Sequence, residues 1–194
     1  RDVSVLNASE LLGTGSNSDF SEFSRIATVN TEELDSVVLT GKRIFYNAAD
    51  IRMGNEGYFS CAACHQDGGE DGRVWDFTGK GEGLRNTITP RGKRGLGHGL
   101  LHWSAKFVEV QDFEHDIRTA FGGGGFIDDA LFSVNGGPLD TPKAGLSSDL
   151  DALASYVTSL GDYPKSPHRN TDGSLTATAL SGRQVFGQQN CQSC

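Results

Sequence analysis

Apolar residues are scarce in this chain: they make up 36% of its 194 residues, beside 26 glycines, roughly twice the ordinary ~7% share of glycine. Such a chain relies on loops and has little material of its own for a core. No stretch approaches the ~18 consecutive apolar residues of a membrane-spanning helix. No secretory leader opens the sequence at Arg1, so it reads as mature or cut from something longer. Positive charge is also in short supply, with 17 Lys and Arg against 25 Asp and Glu and a formal net charge of -8. That balance excludes nucleic acid and anionic membrane surfaces as partners and suits a basic protein partner. The four cysteines all fall into two Cys-x-x-Cys pairs, Cys61 with Cys64 and Cys191 with Cys194, which leaves none for a disulfide framework. Methionine occurs once, at Met53.

What is present is organised around Cys61-Ala62-Ala63-Cys64-His65. Two thiols three residues apart with an imidazole directly after the second form a c-type haem attachment site. One helical turn brings both sulfurs to the two vinyl groups of one porphyrin while the next side chain reaches the iron, so His65 is the proximal ligand. Small Ala62 and Ala63 keep the peptide close to the haem edge. The competing readings are a redox dithiol, or half of a zinc site with a bystander His. A thioether-bound haem supplies the missing apolar core and places the protein outside the cytoplasm, in a bacterial periplasm or beyond it.

Along the chain, Val3 and Val5 alternate with polar residues and predict a short strand, with a turn at Asn7 to Ser9 and a linker from Gly13 to Ser24. Thr40 is the expected N-cap of a helix through Asn47. The segment Val38-Leu39-Thr40-Gly41-Lys42-Arg43-Ile44-Phe45 is echoed by Ala179-Leu180-Ser181-Gly182-Arg183-Gln184-Val185-Phe186, and each copy runs into a Cys-x-x-Cys. Phe45 lies 16 residues before Cys61 and Phe186 lies 5 before Cys191, so the first copy carries an eleven-residue insertion. The sequence is therefore expected to end inside a second haem motif whose His would follow Cys194. The acidic loop Asp67 to Gly72 offers oxygens to Ca²⁺ without EF-hand spacing, and a solvated turn is the competing reading. From Gly79 to Gly99 the chain carries Lys80, Arg85, Arg91, Lys93 and Arg94 against the single acid Glu82, either as partners for haem propionates or as a solvated loop. Ser104 is the expected cap of a helix carrying Phe107, Val110, Phe113, Ile117 and Phe121, stopped by four glycines from Gly122. Ser148 with Asp151 opens another that buries Leu150, Leu153, Val157 and Leu160. Pro164, Pro167 and the polar run to Thr178 form a linker.

With the haem motif, the repeat, and Leu84-Arg85-Asn86-Thr87 followed by Leu101-His102-Trp103, the chain resembles the bacterial di-haem cytochrome c peroxidase family, which includes the methylamine-utilisation di-haem enzymes. It is most similar to the branch in which two cytochrome domains follow a β-propeller, with Asp2 to Leu6 as the tail of a last blade. The resemblance implies a mainly α, cytochrome c-like helical haem domain with long Gly-rich loops and a short N-terminal strand. The expected domains are 1–30 as strand and linker, 31–163 as the haem domain, and 164–194 as a linker and the start of a second cytochrome domain. It implies haem c, electron exchange with a small redox protein, and hydrogen peroxide as substrate. Trp103 matches the Trp that bridges the two haems in that family. The family's catalytic Gln or Glu on the following helix has Glu109, Gln111 and Glu114 nearby, and its distal His has no counterpart between Asp71 and Asn86.

Candidates for the sixth iron ligand are Met53, His98, His102, His115 and His168, of which the last two read as surface or loop-bonded imidazoles and His102 is favoured because it lies in a Gly-rich loop beside Trp103. Three functions stay open: a peroxidase or related di-haem oxidoreductase, an electron-transfer module with both axial positions filled, and a non-haem protein holding a metal through its four cysteines, Cys191 and Cys194 included.

Overall fold

A computed structural model of the chain describes residues 2–7, 21–92, 99–137, 139, 141–161 and 166–193. The expectations placed on the turn at Ala8 and Ser9, on much of the first linker, and on Lys93, Arg94, His98, Pro164 and Cys194 lie outside the described residues. The chain divides into two compact units, residues 1–36 and 37–194.

In the first unit, strand β1 (Asp2–Asn7) pairs antiparallel with β2 (Ser21–Ala27), in a register that runs from Asp2 opposite Ala27 to Asn7 opposite Ser21 with an irregularity between Val5 and Leu6. The predicted alternation of Val3 and Val5 thus finds its partner strand within the chain. Arg25 links the two strands, 2.8 Å from Glu22 on its own strand and 3.7 Å from Asp2 across the pair. Val3, Val5, Leu6, Phe23 and Ile26 all remain exposed, and a lone two-stranded ribbon is marginal in water.

The second unit is built on two crossing helices. Helix α1 (Ser36–Tyr46) buries Gly41, Ile44 and Phe45. It starts four residues before the predicted cap at Thr40, because Val38 packs on the core and that contact overrides the weak helix propensity of a Val-Val pair. The strands β3 (Val74–Phe77) and β4 (Gly83–Asn86) form a second antiparallel hairpin, with Trp75 opposite Arg85 and Phe77 opposite Gly83. Its connection needs left-handed backbone at Gly81 (φ 80°) and Gly83 (φ 69°), which glycine supplies without strain.

Residues 104–109 are not helical. Ser104 donates to Glu82 at 3.1 Å instead of capping a helix, and Ala105 takes φ 51°. The helical stretch starts as a 3₁₀ turn, Val110–Phe113, capped reciprocally by Glu109 and Asp112, and continues as α2 (Glu114–Thr119). After the single turn α3 (Asp129–Leu131), helix α4 (Ser148–Ser159) is capped by Ser147, whose hydroxyl accepts from the Leu150 amide at 3.3 Å. It buries Leu150, Ala152, Leu153 and Tyr156 against Ile44, Phe45, Met53, Ile117 and Ile127.

Helix α5 (Ala177–Gln188), the echo of α1, buries nothing: Leu180, Val185 and Phe186 are about half exposed. The expected mainly α, cytochrome c-like helical fold is therefore corrected to a mixed one. Among the described residues there are two antiparallel strand pairs and three helices of 11 or 12 residues, and the interval between Tyr46 and Ser148 holds the β3–β4 hairpin and short helical pieces such as α2 and α3.

Candidate functional site

Cys61–Ala63 forms a 3₁₀ turn in which the Cys61 carbonyl accepts from the amides of Cys64 (3.3 Å) and His65 (2.9 Å). That curl turns both thiols and the imidazole toward one cavity of about 260 Å³. The volume is close to the lower end of small-molecule sites, roughly 300 to 1,000 Å³. Its walls are mostly aromatic and aliphatic, among them Phe45, Met53, Phe59, Phe121, Leu153 and Val157. Phe59 and Phe121 stack at 4.1 Å between ring centroids and brace one side.

These surroundings govern the thiols. Burial pushes Cys61 up to about 12 and Cys64 up to about 11, with a smaller contribution to Cys64 from the Asp71 charge. Both sulfurs are protonated at neutral pH. That is unlike a reactive dithiol, whose thiolate is stabilised by nearby positive charge.

His65 is held by the loop that follows it. Its Nδ1 lies 3.2 Å from the Gly69 carbonyl. A carbonyl only accepts, so this contact is a hydrogen bond in the tautomer whose Nδ1 carries the proton, which leaves the lone pair on Nε2. Burial lowers the imidazole pKa in spite of the opposing pull of the Gly69 and Ile88 backbone and the Asp71 charge. A neutral ring with a defined tautomer is what metal ligation requires.

Asp71 shapes the rest of this loop. It accepts from Thr87 Oγ1 (2.7 Å), Trp75 Nε1 (2.9 Å) and the Arg73 amide (3.0 Å). Burial raises Asp71, but those donors together hold it below its ordinary value. Of the two readings of this loop, the calcium one finds little support: the Asp71 carboxylate is spent on organising the chain, Arg91 donates to the Asp67 carbonyl, and no group of three or more His, Cys, Asp or Glu placed to hold a metal occurs among the described residues.

A polar group lines the cavity as well. His102, at φ 72°, places Nδ1 2.9 Å from Glu82 Oε2 and Nε2 3.5 Å from Asp116 Oδ2. Lys106 Nζ reaches Glu82 Oε1 at 2.7 Å. Burial raises Glu82, but Lys106, His102 and Ser104 outweigh it and hold the carboxyl below its usual range. Asp116 goes the other way, raised by burial against the pull of Lys106 and His102. Glu82, Lys106 and Asp116 went unassigned in the sequence, although Glu82 stood out as the single acid of a basic stretch.

Of the residues expected at the site, Cys61, Cys64, His65, Met53, His102 and Trp103 all line this cavity. Trp103 is 55% exposed, and its Nε1 donates to the Asn86 carbonyl at 2.6 Å. Glu109, Gln111 and Glu114 do not line it. Glu109 caps the 3₁₀ turn and accepts from the Lys143 amide, and Gln111 donates to Asp151 at 2.9 Å. Glu114 is fully buried and accepts from Arg118 and from the amides of Phe126 and Ile127. Cys191 opens the 3₁₀ turn Cys191–Ser193 and is exposed. No described helix is long and apolar enough to cross a membrane.

No family model matches the chain. It is 30% identical over 142 residues to hydrazine synthase subunit gamma of Kuenenia stuttgartiensis, a match that takes in 71% of this chain and 36% of that protein. The chain thus spans about a third of the length of that curated relative. A solved structure of K. stuttgartiensis hydrazine synthase, pressurised with 20 bar xenon, aligns with a TM-score of 0.47 and 23% identity over 81% of this chain and 46% of that one. The resemblance to the di-haem cytochrome c peroxidases, with its propeller-fused branch, is corrected by the curated match: the similarity found is to a hydrazine synthase subunit. The three residues nearest that family's catalytic position, Glu109, Gln111 and Glu114, are engaged in the framework.

Proposed function

We propose that residues 31–163 form a c-type haem redox module, with Cys61 and Cys64 bonded to the haem and His65 on the iron through Nε2. The observation that carries this reading is the convergence of both sulfurs and an imidazole backed by the Gly69 carbonyl on one apolar cavity. The residues fit the group: aromatic and aliphatic walls suit a porphyrin face, and Lys80, Arg85 and Lys106 at the same cavity suit its propionates. Bound there, the haem supplies reversible one-electron chemistry. The chain fixes the ligand tautomer, excludes water from one face and carries cations at the edge.

His102 is the proposed sixth ligand. Its ring lines the same cavity as His65, and its Nδ1 stands 2.9 Å from Glu82 Oε2, an ion-pair contact without hydrogen-bond geometry. Met53, buried in the same wall, is the alternative. Residues 164–194 are proposed to begin a second module of the same plan, with Cys191 and Cys194 as its thiols.

Covalent haem attachment implies a location outside the cytoplasm. The similarity to a synthase subunit supports work within a larger redox assembly, with another protein subunit as partner and nitrogen chemistry as its business. Denaturing gels stained for covalent haem test the core of this. The parent chain should stain, either single variant Cys61→Ala or Cys64→Ala should weaken the band, and the double variant should abolish it. Stain that survives the double variant overturns the reading.

A further inference from the structure

We infer that Arg91 is a positioning residue for His65, acting through the loop Gln66–Gly69; the inference rests on His65 being an iron ligand. The Gly69 carbonyl that fixes the His65 tautomer is presented by a tight turn with left-handed backbone at Asp67 (φ 51°) and Gly68 (φ 70°). Asp67 is not glycine, though aspartate enters this region more readily than most residues, so the turn carries a small backbone cost that a contact from outside offsets.

Within the turn, the Gly68 amide donates to His65 O at 3.0 Å and the Gly69 amide to Gln66 O at 2.8 Å. Both bonds are local and neither prevents the turn from moving as a unit. The support comes from 24 residues further on. Arg91 donates from its guanidinium to the Asp67 carbonyl, and a Cβ built on Gly69 would stand 3.8 Å from Arg91 Cζ and Nε, so the guanidinium lies alongside Gly69 as well.

Arg91 is itself anchored. The adjacent Gly92 amide donates to Leu160 O at 2.7 Å, and the Leu160 side chain packs where a Cβ on Gly68 would be, 3.0 Å away. The end of α4, the Arg91 segment and the His65 loop therefore brace one another. A planar guanidinium can donate in its plane while lying along a backbone, which an ammonium cannot do.

The consequence falls on His65. A carbonyl held firmly at Nδ1 makes the imidazole a stronger donor, and a stronger donor favours ferric iron. Without Arg91 the turn loosens, donation weakens and the reduction potential rises. Arg91 as a mere nearby cation would give the opposite sign, because removing positive charge near the iron favours the ferric state and lowers the potential.

The experiment uses the full haem-loaded chain with Arg91→Gln and Arg91→Lys. Arg91→Gln should keep its covalent haem and raise the reduction potential, and in a His102→Gly background, whose ferrous iron is five-coordinate, it should lower the iron–histidine stretching frequency in resonance Raman. Arg91→Lys, which keeps the charge and loses the planar contact, should move both readouts the same way by less. A potential and a stretching frequency equal to the parent's, or a potential that falls, overturns the inference. If Arg91→Gln does not accumulate folded, the same readouts on Arg91→Lys decide it. A parent chain without covalent haem overturns the haem reading and this inference together, whereas a haem-bearing parent with unmoved variants overturns this inference alone.

Discussion

A Cβ on Gly41 would stand 1.8 Å from the carbonyl oxygen of Ala152 and 2.9 Å from the Cβ of Tyr156. The backbone of α1 crosses α4 with no room for a side chain, and this contact brings Ile44 and Phe45 into the core beside the haem motif. Gly182, the matching position in α5, has nothing within 4 Å.

The two glycines should therefore respond with opposite signs to the same substitution. Gly41→Ala should destabilise by roughly 1–3 kcal/mol, because overpacking outweighs the helix-propensity gain of about 1 kcal/mol. Gly182→Ala should gain up to that propensity term, about 0.5–1 kcal/mol. Urea denaturation of both variants checks it, and equal effects would show that α1 and α4 do not cross as described.

Lys143 and Asp112 form an ion pair at 2.7 Å with both side chains fully buried. Replacing Lys143 by Met leaves Asp112 buried without its cation, at a cost of about 3–5 kcal/mol. Asp112 also accepts from the Val108 amide at 2.8 Å, so adding Asp112→Asn should recover only part of the loss. A thermal melt of Lys143→Met within a degree of the parent would argue against a buried pair.

The thiols give a pH prediction for the haem-free chain. A thiol whose pKa rises on folding, here to about 12 for Cys61 and about 11 for Cys64, binds its proton more tightly folded than unfolded. Its contribution to stability is whole below the unfolded value of about 8.5 and is lost as pH rises toward the folded one. Stability should accordingly fall from about pH 9 upward, and at pH 8 an alkylating reagent should modify exposed Cys191 well before Cys61 or Cys64. Equal alkylation rates for all three would contradict the shielding of Cys61 and Cys64 relative to Cys191.

His102 should govern the iron's spin state. His102→Gly should convert a low-spin ferric spectrum into a high-spin one that takes up cyanide. Glu82→Gln should keep the low-spin spectrum and raise the reduction potential, since a neutral partner at Nδ1 weakens donation. An unchanged low-spin spectrum in His102→Gly, or a thioether-to-iron charge-transfer band in the parent, would move the assignment to Met53.

Much of the site could be read from the chain alone. Cys61, Cys64 and His65 are consecutive or three apart, so a single turn fixes their relation whatever surrounds them. The 3.6-residue pattern marks α4 to within one residue, and the alternation of Val3 and Val5 marks β1. The β3–β4 hairpin had a signal in Trp75, Phe77 and Leu84 that the count of basic residues obscured. Function was less legible, because short segments such as Arg85-Asn86 and His102-Trp103 suggested peroxidases while the longer match leads to a hydrazine synthase subunit.

What the sequence by itself determined is local: the thiol spacing, the imidazole beside it, the start of α4 to within one residue, and the repeat of α1 in α5. Tertiary structure alone decided the rest. It sent Glu109, Gln111 and Glu114 to caps and buried hydrogen bonds, set Glu82 against His102, and brought Arg91 to the loop behind His65. The reason is physical. A carboxylate or guanidinium carries the same charge wherever it stands in the chain, and its role follows from which donors and acceptors are left without water when distant segments pack.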